Sequence, residues 1–177
     1  MMKQNHYNPL IHHRHSIRLQ GFDYSKAGFY YITMCVQKRE CLLGKIFAGK
    51  MHLNEYGQTT EKCWLEIPQH YPNCILHEFV VMPNHLHGII ELTQNSVGAQ
   101  DFVPQPPKKN EFQKIIPRSV GAIIRGFKIG TTKQWGASIW QRNYWEHIIR
   151  NEKSYQRIEK YIINNIANWE KDRFYLW

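Results

Sequence analysis

The chain has 177 residues, of which 42% are hydrophobic and 14% aromatic, and we expect one folded domain over 1–177 rather than a disordered chain. No apolar run approaches the ~20 residues of a membrane helix and no signal peptide opens the sequence, so we expect a cytoplasmic protein with no membrane partner. The formal net charge of +9 favours a polyanionic partner but does not by itself identify nucleic acid.

The first half of the sequence predicts strands around a helix. A polar, histidine-rich arm covers 1–15, and 28–37 (GFYYITMCVQ) is apolar on both alternating faces, as in a central strand. The glycine-punctuated segments 40–46 and 50–53 indicate a neighbouring strand and turn, or a hairpin.

A three- and four-residue apolar period then predicts a helix that Asn54 caps and Pro68 ends. Its expected buried face consists of Tyr56, Thr60, Cys63, Trp64 and Ile67. The segments 75–82 and 86–92 follow as strands, and their close spacing predicts antiparallel neighbours.

The second half begins with a segment near 94–117 that lacks periodicity and holds four prolines, which predicts a flexible insert. Ser119 then caps a helix, in which Arg125 and Lys128 lie off the apolar stripe and should face solvent or a ligand. The segment 139–150 is aromatic and mixed. A last helix over 152–169 should bury Tyr155, Ile158, Ile162, Ile166 and Trp169.

Together these elements indicate an α+β fold. We expect a ferredoxin-like core, with a mainly antiparallel sheet, helices packed on one face and an added C-terminal helix.

The sharpest motif is Met82-Pro83-Asn84-His85-Leu86-His87-Gly88. Residues two apart in a strand share a face, so His85 and His87 would direct their imidazoles together, with Leu86 anchored in the opposite layer. Such a pair can bind one divalent metal and leave positions open for substrate. It is also compatible with two histidines that only decorate a surface.

A second candidate pair lies on the last helix. Tyr161 and Asn165 are four residues apart and should share a face beside the buried stripe. The amide oxygen of Asn165 could then complete a metal shell, with the Tyr161 hydroxyl one turn away. A half-buried structural tyrosine beside an exposed asparagine is the simpler explanation when the spacing is taken alone.

The pairing makes chemical sense for phosphoryl transfer. A tyrosine with a pKa near 10 is a poor nucleophile until its phenolate is stabilised. A metal bound to the scissile phosphate neutralises negative charge on the group that the tyrosine attacks. Attack would leave a 5′-phosphotyrosine and a free 3′-OH, and rejoining would need no ATP.

These motifs resemble those of the single-tyrosine transposases of the HUH endonuclease superfamily, and most closely the REP-associated tyrosine transposases. The resemblance extends from about Arg14 to Trp169. The matching stretches are Arg14-His15-Ser16-Ile17-Arg18, Gly21-Phe22-Asp23-Tyr24, Tyr30-Tyr31-Ile32-Thr33, Val81 to Gly88, Ile124-Arg125-Gly126-Phe127-Lys128, Trp140 to Glu152, and Tyr161-Ile162-Ile163-Asn164-Asn165.

The resemblance implies a division of roles among four residues. His85, His87 and Asn165 would hold Mg²⁺ or Mn²⁺, and Tyr161 would attack single-stranded or hairpin DNA. Family members usually follow the asparagine with proline; here Ile166 takes that place, and we expect a longer helix with Tyr161 unmoved.

Other residues compete with these or assist them. Tyr155 and Tyr144 are rival nucleophiles, although Tyr155 falls in the apolar stripe, and the role of His147 stays open between a phosphate contact and a pair with Glu146. The expected DNA contacts are Arg14, Arg18, Arg125, Lys128 and Arg142, with aromatic residues among them that could stack on bases.

Several functions fit this site. We expect an endonuclease and strand transferase of the transposase type, as a monomer or a homodimer. The main alternative is a domesticated, catalytically silent protein that binds hairpin DNA. A replication or conjugation initiator would need a helicase domain that so short a chain lacks, and a small-molecule metal hydrolase conflicts with the positive charge.

Overall fold

The computed structural model describes residues 22–94 and 116–175. The arm at 1–15, with Arg14, and also Arg18 lie outside these ranges, as does nearly all of the insert expected at 94–117. The structure therefore does not test the predictions made for these residues.

Six strands and four α-helices make up the described ranges. In chain order they are β1 (Gly28–Cys35), β2 (Gly44–Phe47), β3 (Lys50–Leu53), α1 (Glu55–Leu65), α2 (Ile67–His70), β4 (Cys74–Met82), β5 (His85–Leu92), α3 (Val120–Trp135), β6 (Trp145–Ile149) and α4 (Glu152–Ile163), with short 3-10 turns at Gln37–Arg39 and Trp169–Lys171. None of these helices is long and apolar enough to cross a membrane.

The main sheet has the strand order β4-β5-β1-β6. All of its neighbours are antiparallel, and β1 lies between β5 and β6 as its two apolar faces predict. With the β2–β3 hairpin set apart, the order β-α-β-β-α-β and this strand arrangement are those of a ferredoxin-like sheet. The expected α+β fold is confirmed.

One face of the sheet is covered by α1 and α3. Trp64 on α1 is fully buried there against β5, where Gly88 leaves room for its ring; a Cβ at Gly88 would collide with that indole. Tyr56, predicted on the buried face of α1, is 42% exposed instead, because it lies in the first turn of the helix, away from the sheet, against Trp135.

The opposite face is covered by α4. Five residues form a second core cluster there: Tyr31, Ile89, Ile149, Ile158 and Ile162. Because α4 covers only part of this face, the end of the sheet where β5 begins is closed instead by the chain that follows α4. Trp169 and Phe174, from this later segment, lie against the ring of His85.

Side-chain caps begin the longer helices as predicted. Asn54 accepts a hydrogen bond from the backbone N–H of Gly57, and Ser119 accepts one from Ala122. The helix that Asn54 caps ends at Leu65, before Pro68, and Pro68 itself lies in the first turn of the separate helix α2, where a proline loses no helical hydrogen bond.

The last helix is shorter than predicted. It ends at Ile163, not near Trp169. The side-chain amides of Asn164 and Asn168 donate to the carbonyls of Lys160 and Asn164, at 2.7 and 2.9 Å, in the stretch where the helix ends. Polar side chains that bind the backbone locally compete with helix continuation, so the loss of a proline at Ile166 does not lengthen the helix.

Candidate metal centre

His85 and His87 are the first and third residues of β5, and both are fully buried. Their ring centroids lie 4.5 Å apart on the α4 side of the sheet, while Leu86 between them belongs to the core on the other side. The predicted same-face arrangement is confirmed, and it follows from the two-residue period of the strand.

The ring orientation of His85 is determined by the preceding residue. Asn84 donates both amide hydrogens to backbone carbonyls, of Arg39 at 2.9 Å and Phe174 at 2.8 Å. Its amide oxygen therefore faces Nδ1 of His85, 2.8 Å away, and can only accept a hydrogen bond from it. Nδ1 of His85 carries the proton, and the lone pair of Nε2 points away from Asn84.

His87 is held from the neighbouring strand β1. Its Nδ1 lies 2.7 Å from the hydroxyl of Tyr31 and 2.8 Å from Oγ1 of Thr33. Burial raises the pKa of Tyr31, so this hydroxyl stays protonated. Hydrogen bonds at Nδ1 orient a histidine for metal binding through Nε2, which is how many protein metal sites are supported.

The atoms that face inward lack protein partners. Among the described residues, Nε2 of His85 and Oδ1 of Asn165 are buried side-chain atoms without a hydrogen bond. A buried polar atom left in this way costs about 1–3 kcal/mol, so such an atom usually has an ordered water, an ion or a ligand as its partner. The two orphaned acceptors indicate a cation site.

A carboxylate completes the group. Asp172 lies in the chain after α4, and a carboxylate oxygen of Asp172 and one ring nitrogen each of His85 and His87 all lie within 4.8 Å of one another. Two imidazoles, one amide oxygen and one carboxylate form a donor set that suits a divalent cation, and its oxygen ligands suit Mg²⁺ or Mn²⁺. The residues present therefore fit the metal that the motif implies.

Both histidines are neutral at physiological pH. Burial lowers the pKa of His85 to about 4; the charge of Asp172 opposes this in part, and the charges of Arg173 and Arg39 add smaller lowering effects. Burial and the neighbouring His85 hold the pKa of His87 well below its usual range. Neutral imidazoles are the form that binds metals.

Tyr161 lies in the last turns of α4 at the mouth of this site and is 42% exposed. Its hydroxyl donates to Oδ2 of Asp172 at 3.0 Å and lies 3.4 Å from Nε2 of His87. Burial, together with the charge of Asp172, raises the pKa of Tyr161 to about 12. The tyrosine is thus a neutral phenol whose proton already points at a carboxylate.

Asn165 reaches the site by a different route from the one predicted. It lies two residues beyond the end of α4, where its backbone N–H donates to the carbonyl of Ile162. Its side chain is nevertheless buried beside Tyr161, and its amide donates to Oδ2 of Asp172 at 3.2 Å. Asn165 and Tyr161 thus lie side by side, as expected, although the helix ends before Asn165.

An open cleft of about 260 Å³ leads to the Tyr161 hydroxyl. Its other lining residues are Asn164, Asn165, Asn168, Lys171, Asp172 and Arg173. Arg173 and Arg39 lie over the ring of Phe174 at 4.6 and 5.3 Å and are close enough to His85 to affect its pKa. Neither was expected from the sequence.

Two rival tyrosines lie apart from the histidine pair. Tyr155 contacts Nδ1 of His77 at 3.2 Å and packs beside the core cluster under α4. Tyr144 lies beneath the ammonium of Lys128, 5.6 Å from its ring centre. Of the three candidate nucleophiles Tyr144, Tyr155 and Tyr161, Tyr161 is the one whose hydroxyl lies beside Nε2 of His87.

The structure describes three of the five predicted DNA contacts, and these three differ in exposure and in the face of the sheet on which they lie. Arg125 and Arg142 are exposed, but Arg125 lies on α3, which covers the face opposite the histidines. The ammonium of Lys128 is engaged within the chain, donating to the carbonyl of Gln141 at 2.8 Å and, more weakly, to that of Arg142 at 3.3 Å. Their contacts with DNA stay predictions.

The residues at this site that the sequence did not predict are of two kinds. Tyr31 and Thr33 support His87 from β1, and they could have been found from alternation, since the predicted central strand places both on one face. Asp172 carries no such signal, because it lies beyond the helix and outside every motif.

Comparison with known proteins gives two sequence relatives and a related fold. No family model matches the chain. An uncharacterized protein of Haemophilus influenzae is 45% identical over 176 residues, which cover 96% of this chain and 97% of the relative. A second protein of that organism, provisionally named a REP-associated tyrosine transposase, is 26% identical over 143 residues, covering 81% of this chain and 72% of the relative.

Among solved structures, a REP-associated tyrosine transposase bound to a REP hairpin has a TM-score of 0.59. The match is 22% identical and covers 86% of this chain and 74% of that one, which shows a shared fold. The chain thus belongs to one family with the 45% identical Haemophilus influenzae protein, and in sequence and fold it resembles the REP-associated tyrosine transposases, as its motifs predict.

Proposed function

We propose that the protein is a metal-dependent single-stranded DNA endonuclease and strand transferase of the transposase type. The observation that supports this most strongly is the convergence of His85, His87, Asn165 and Asp172 beside the hydroxyl of Tyr161. A metal site without a nucleophile, or a tyrosine without a metal site, would support a broader set of functions.

The two histidines would hold Mg²⁺ or Mn²⁺ through Nε2, and Asn165 and Asp172 through oxygen. When bound, the cation would neutralise charge on the scissile phosphate and favour departure of the 3′-oxygen. Asn84, Tyr31 and Thr33 would act as positioning residues, because each binds the Nδ1 atom of a ligand histidine.

In the cleavage step the phenolic oxygen of Tyr161 attacks the phosphorus atom. Its proton passes to Oδ2 of Asp172, the atom to which it is already hydrogen-bonded at 3.0 Å. The bond from phosphorus to the 3′-oxygen breaks, and that oxygen takes a proton from water to become a free 3′-OH. The 5′-phosphate stays joined to Tyr161.

Rejoining is the reverse of this step. A 3′-OH attacks the phosphotyrosine and gives its proton to hydroxide, which becomes water; the new phosphodiester forms, the bond from phosphorus to the Tyr161 oxygen breaks, and Tyr161 recovers its proton from Asp172. One ester is exchanged for another, so the reaction needs no external energy source.

A DNA hairpin is the proposed recognition element, and the support for it is resemblance. The solved structure with the related fold is that of a transposase bound to a REP hairpin. The net charge of +9 is compatible with this partner. A cytoplasmic location and a homodimer remain predictions.

The test uses a 3′-labelled oligonucleotide with a hairpin followed by a single-stranded tail, copied from palindromes beside the coding sequence. Incubation with Mn²⁺ or Mg²⁺ should give a labelled covalent adduct that survives a denaturing gel. Tyr161→Phe should abolish the adduct, and chelation with EDTA should prevent it. Tyr155→Phe is the matched control and should leave the adduct in place.

The outcomes separate the proposal from its alternative. An adduct that persists in Tyr161→Phe would show that the nucleophile is another residue. Tight binding of the hairpin with no adduct under either metal would favour the silent DNA-binding protein.

A further inference from the structure

Strand β6, a segment for which the sequence predicts no element, carries an aromatic surface beside the proposed site. It is the outer strand of the sheet order β4-β5-β1-β6. Trp145 and His147 are two residues apart on it and share the face that carries the histidine pair. Their rings are parallel within 5°, with centroids 6.0 Å apart.

Trp145 is unusual among the tryptophans of residues 22–94 and 116–175. It is 44% exposed, whereas Trp64, Trp135, Trp140 and Trp169 are buried or partly buried. An exposed indole beside a functional cleft indicates a binding role more than a structural one, because its apolar area is left in water.

The register of the sheet gives the distance from this surface to the reaction centre. Thr33 pairs with Trp145 on one side and with His87 on the other, so these three residues form one row across β6, β1 and β5. Neighbouring strands lie about 4.8 Å apart, which separates the Trp145 and His87 backbones by roughly 10 Å. That length spans about three stacked nucleotides, at ~3.4 Å each, and fewer when the strand is extended.

The row is continuous through aromatic contacts. Tyr31 packs edge-on against Trp145 at 5.8 Å and against Tyr161 at 6.5 Å. A single DNA strand with one phosphate at Tyr161 can therefore pass over Tyr31 towards Trp145 and stay in contact with the aromatic surface of the protein.

Cations surround the same surface. The guanidinium of Arg173 lies 5.9 Å from the centre of the Trp145 ring. Arg150 and Arg157 are exposed and close enough to His147 to lower its pKa, after the larger effect of burial. Aromatic rings among guanidinium groups are the combination that binds single-stranded nucleic acid, since the rings stack on bases and the cations pair with phosphates.

We infer that Trp145 and His147 form a stacking platform for one unpaired base of the substrate strand, within about three nucleotides of the phosphate that Tyr161 attacks. This inference rests on the proposed function and deepens it. Stacking on this platform fixes the position of the DNA strand relative to Tyr161, and Arg173 binds the adjoining phosphate.

The experiment is an abasic scan of the hairpin oligonucleotide with a single-stranded tail. All proteins carry Tyr161→Phe, so that DNA binds in the presence of Mn²⁺ without being cut, and affinity is measured by fluorescence anisotropy. One abasic site is placed at each tail position in turn. We expect one position where loss of the base weakens binding about five-fold to a hundred-fold, the range for one base–aromatic stack.

Adding Trp145→Ala should weaken binding of the intact oligonucleotide by a similar factor and remove the effect of the abasic site at that position. Trp145→Phe, which keeps an aromatic face, should retain most of the affinity and the positional effect. Phe47→Ala, at a 69% exposed aromatic residue on the β2–β3 hairpin, is the matched control and should change neither.

An unchanged affinity for Trp145→Ala, with thermal melting like that of the parent protein, would overturn the inference. So would an equal loss at every abasic position, because a platform acts on one base. If the parent protein binds DNA and the wild type forms the adduct, such a result refutes the platform alone. If neither occurs, the proposed function fails and the platform with it.

Discussion

The amide oxygen of Asn84 accepts a hydrogen bond from Nδ1 of His85 at 2.8 Å, and through it the tautomer of a buried histidine is determined. The Asn84 amide is itself held by two backbone carbonyls that come from distant parts of the chain. The turn between β4 and β5 thus orients His85, a proposed metal ligand, as well as connecting two strands.

Asn84→Ala should lower the affinity for Mn²⁺ by about 10- to 100-fold, the usual cost of removing a group that orients a ligand histidine. It should also lower the free energy of unfolding by about 1–3 kcal/mol, since two backbone carbonyls, the buried one of Phe174 and the partly buried one of Arg39, lose their donor. Calorimetric titration with Mn²⁺ and chemical denaturation measure the two effects.

Asn73→Ala is the control for that substitution. Asn73 is also buried and donates to a backbone carbonyl, that of Arg118, but it lies far along the sheet from the histidines. It should lose stability and keep its metal affinity. Equal metal affinities for the two variants would contradict the orienting role of Asn84.

Asn165→Leu should separate metal binding from stability. The buried Oδ1 of Asn165 has no partner among the described residues, whereas its amide donates to Oδ2 of Asp172. An apolar replacement removes one unfavourable and one favourable contribution, so the metal-free protein should stay within about 2 kcal/mol of the wild type. The same variant should lose most of the rise in Tm that saturating Mn²⁺ gives the wild type.

Thermal melts with EDTA and with Mn²⁺ test this pair of effects. A destabilised metal-free variant that keeps its full response to Mn²⁺ would show that Asn165 is structural and not a ligand.

Acid should destabilise the metal-free protein through its buried histidines. The folded-state pKa of His85, about 4, and that of His87 both lie below the ordinary value, so only the unfolded chain takes up protons as the pH falls through about 6.5. Stability is therefore lost from about pH 6.5 downwards, at up to ~1.4 kcal/mol per pH unit for each histidine.

Urea unfolding in EDTA between pH 7.5 and 5 checks this. His87→Gln should reduce the dependence of the free energy of unfolding on pH by the equivalent of about one proton, or ~1.4 kcal/mol per pH unit. His52→Gln, at an exposed position on β3, is the matched control. A slope for His87→Gln equal to that of the wild type would contradict the assignment.

Lys128 should produce the opposite trend at alkaline pH. Burial lowers its pKa to about 8, so between about pH 8 and 10 the unfolded chain holds a proton that the folded chain has released. The free energy of unfolding should rise over that range, by up to ~1.4 kcal/mol per pH unit. Lys128→Met should remove this rise.

Denaturation curves at pH 8, 9 and 10 measure the effect, with the exposed Lys133→Met as the control on the same helix. Parallel stability profiles for Lys128→Met and the wild type would show that the ammonium is not buried in solution. The salt dependence of DNA binding by Lys128→Met decides separately whether Lys128 contacts a phosphate.

Local periodicity was enough to predict much of this protein. Alternation in a strand places His85 and His87 on one face with Leu86 on the other, and the same rule makes β1 a central strand. Capping chemistry locates the starts of α1 and α3 at Asn54 and Ser119. Each of these depends on neighbours within a few residues, where the backbone geometry is known in advance.

The tertiary structure decided the rest of the site. Strand β6 has one neighbour in the sheet and an aromatic, mixed sequence, so its pairing with β1 carries no strong local pattern. The end of α4 depends on amide side chains that bind backbone carbonyls, which the apolar stripe does not reveal.

Asp172 shows the limit most clearly. The sequence by itself determined a pair of histidines on one face of a strand and a tyrosine on the helix that packs beside them. Only the folded chain brings Asp172 and Phe174 back over that pair, because contacts between segments some 85 residues apart arise from the packing of the whole molecule and not from the spacing of any motif.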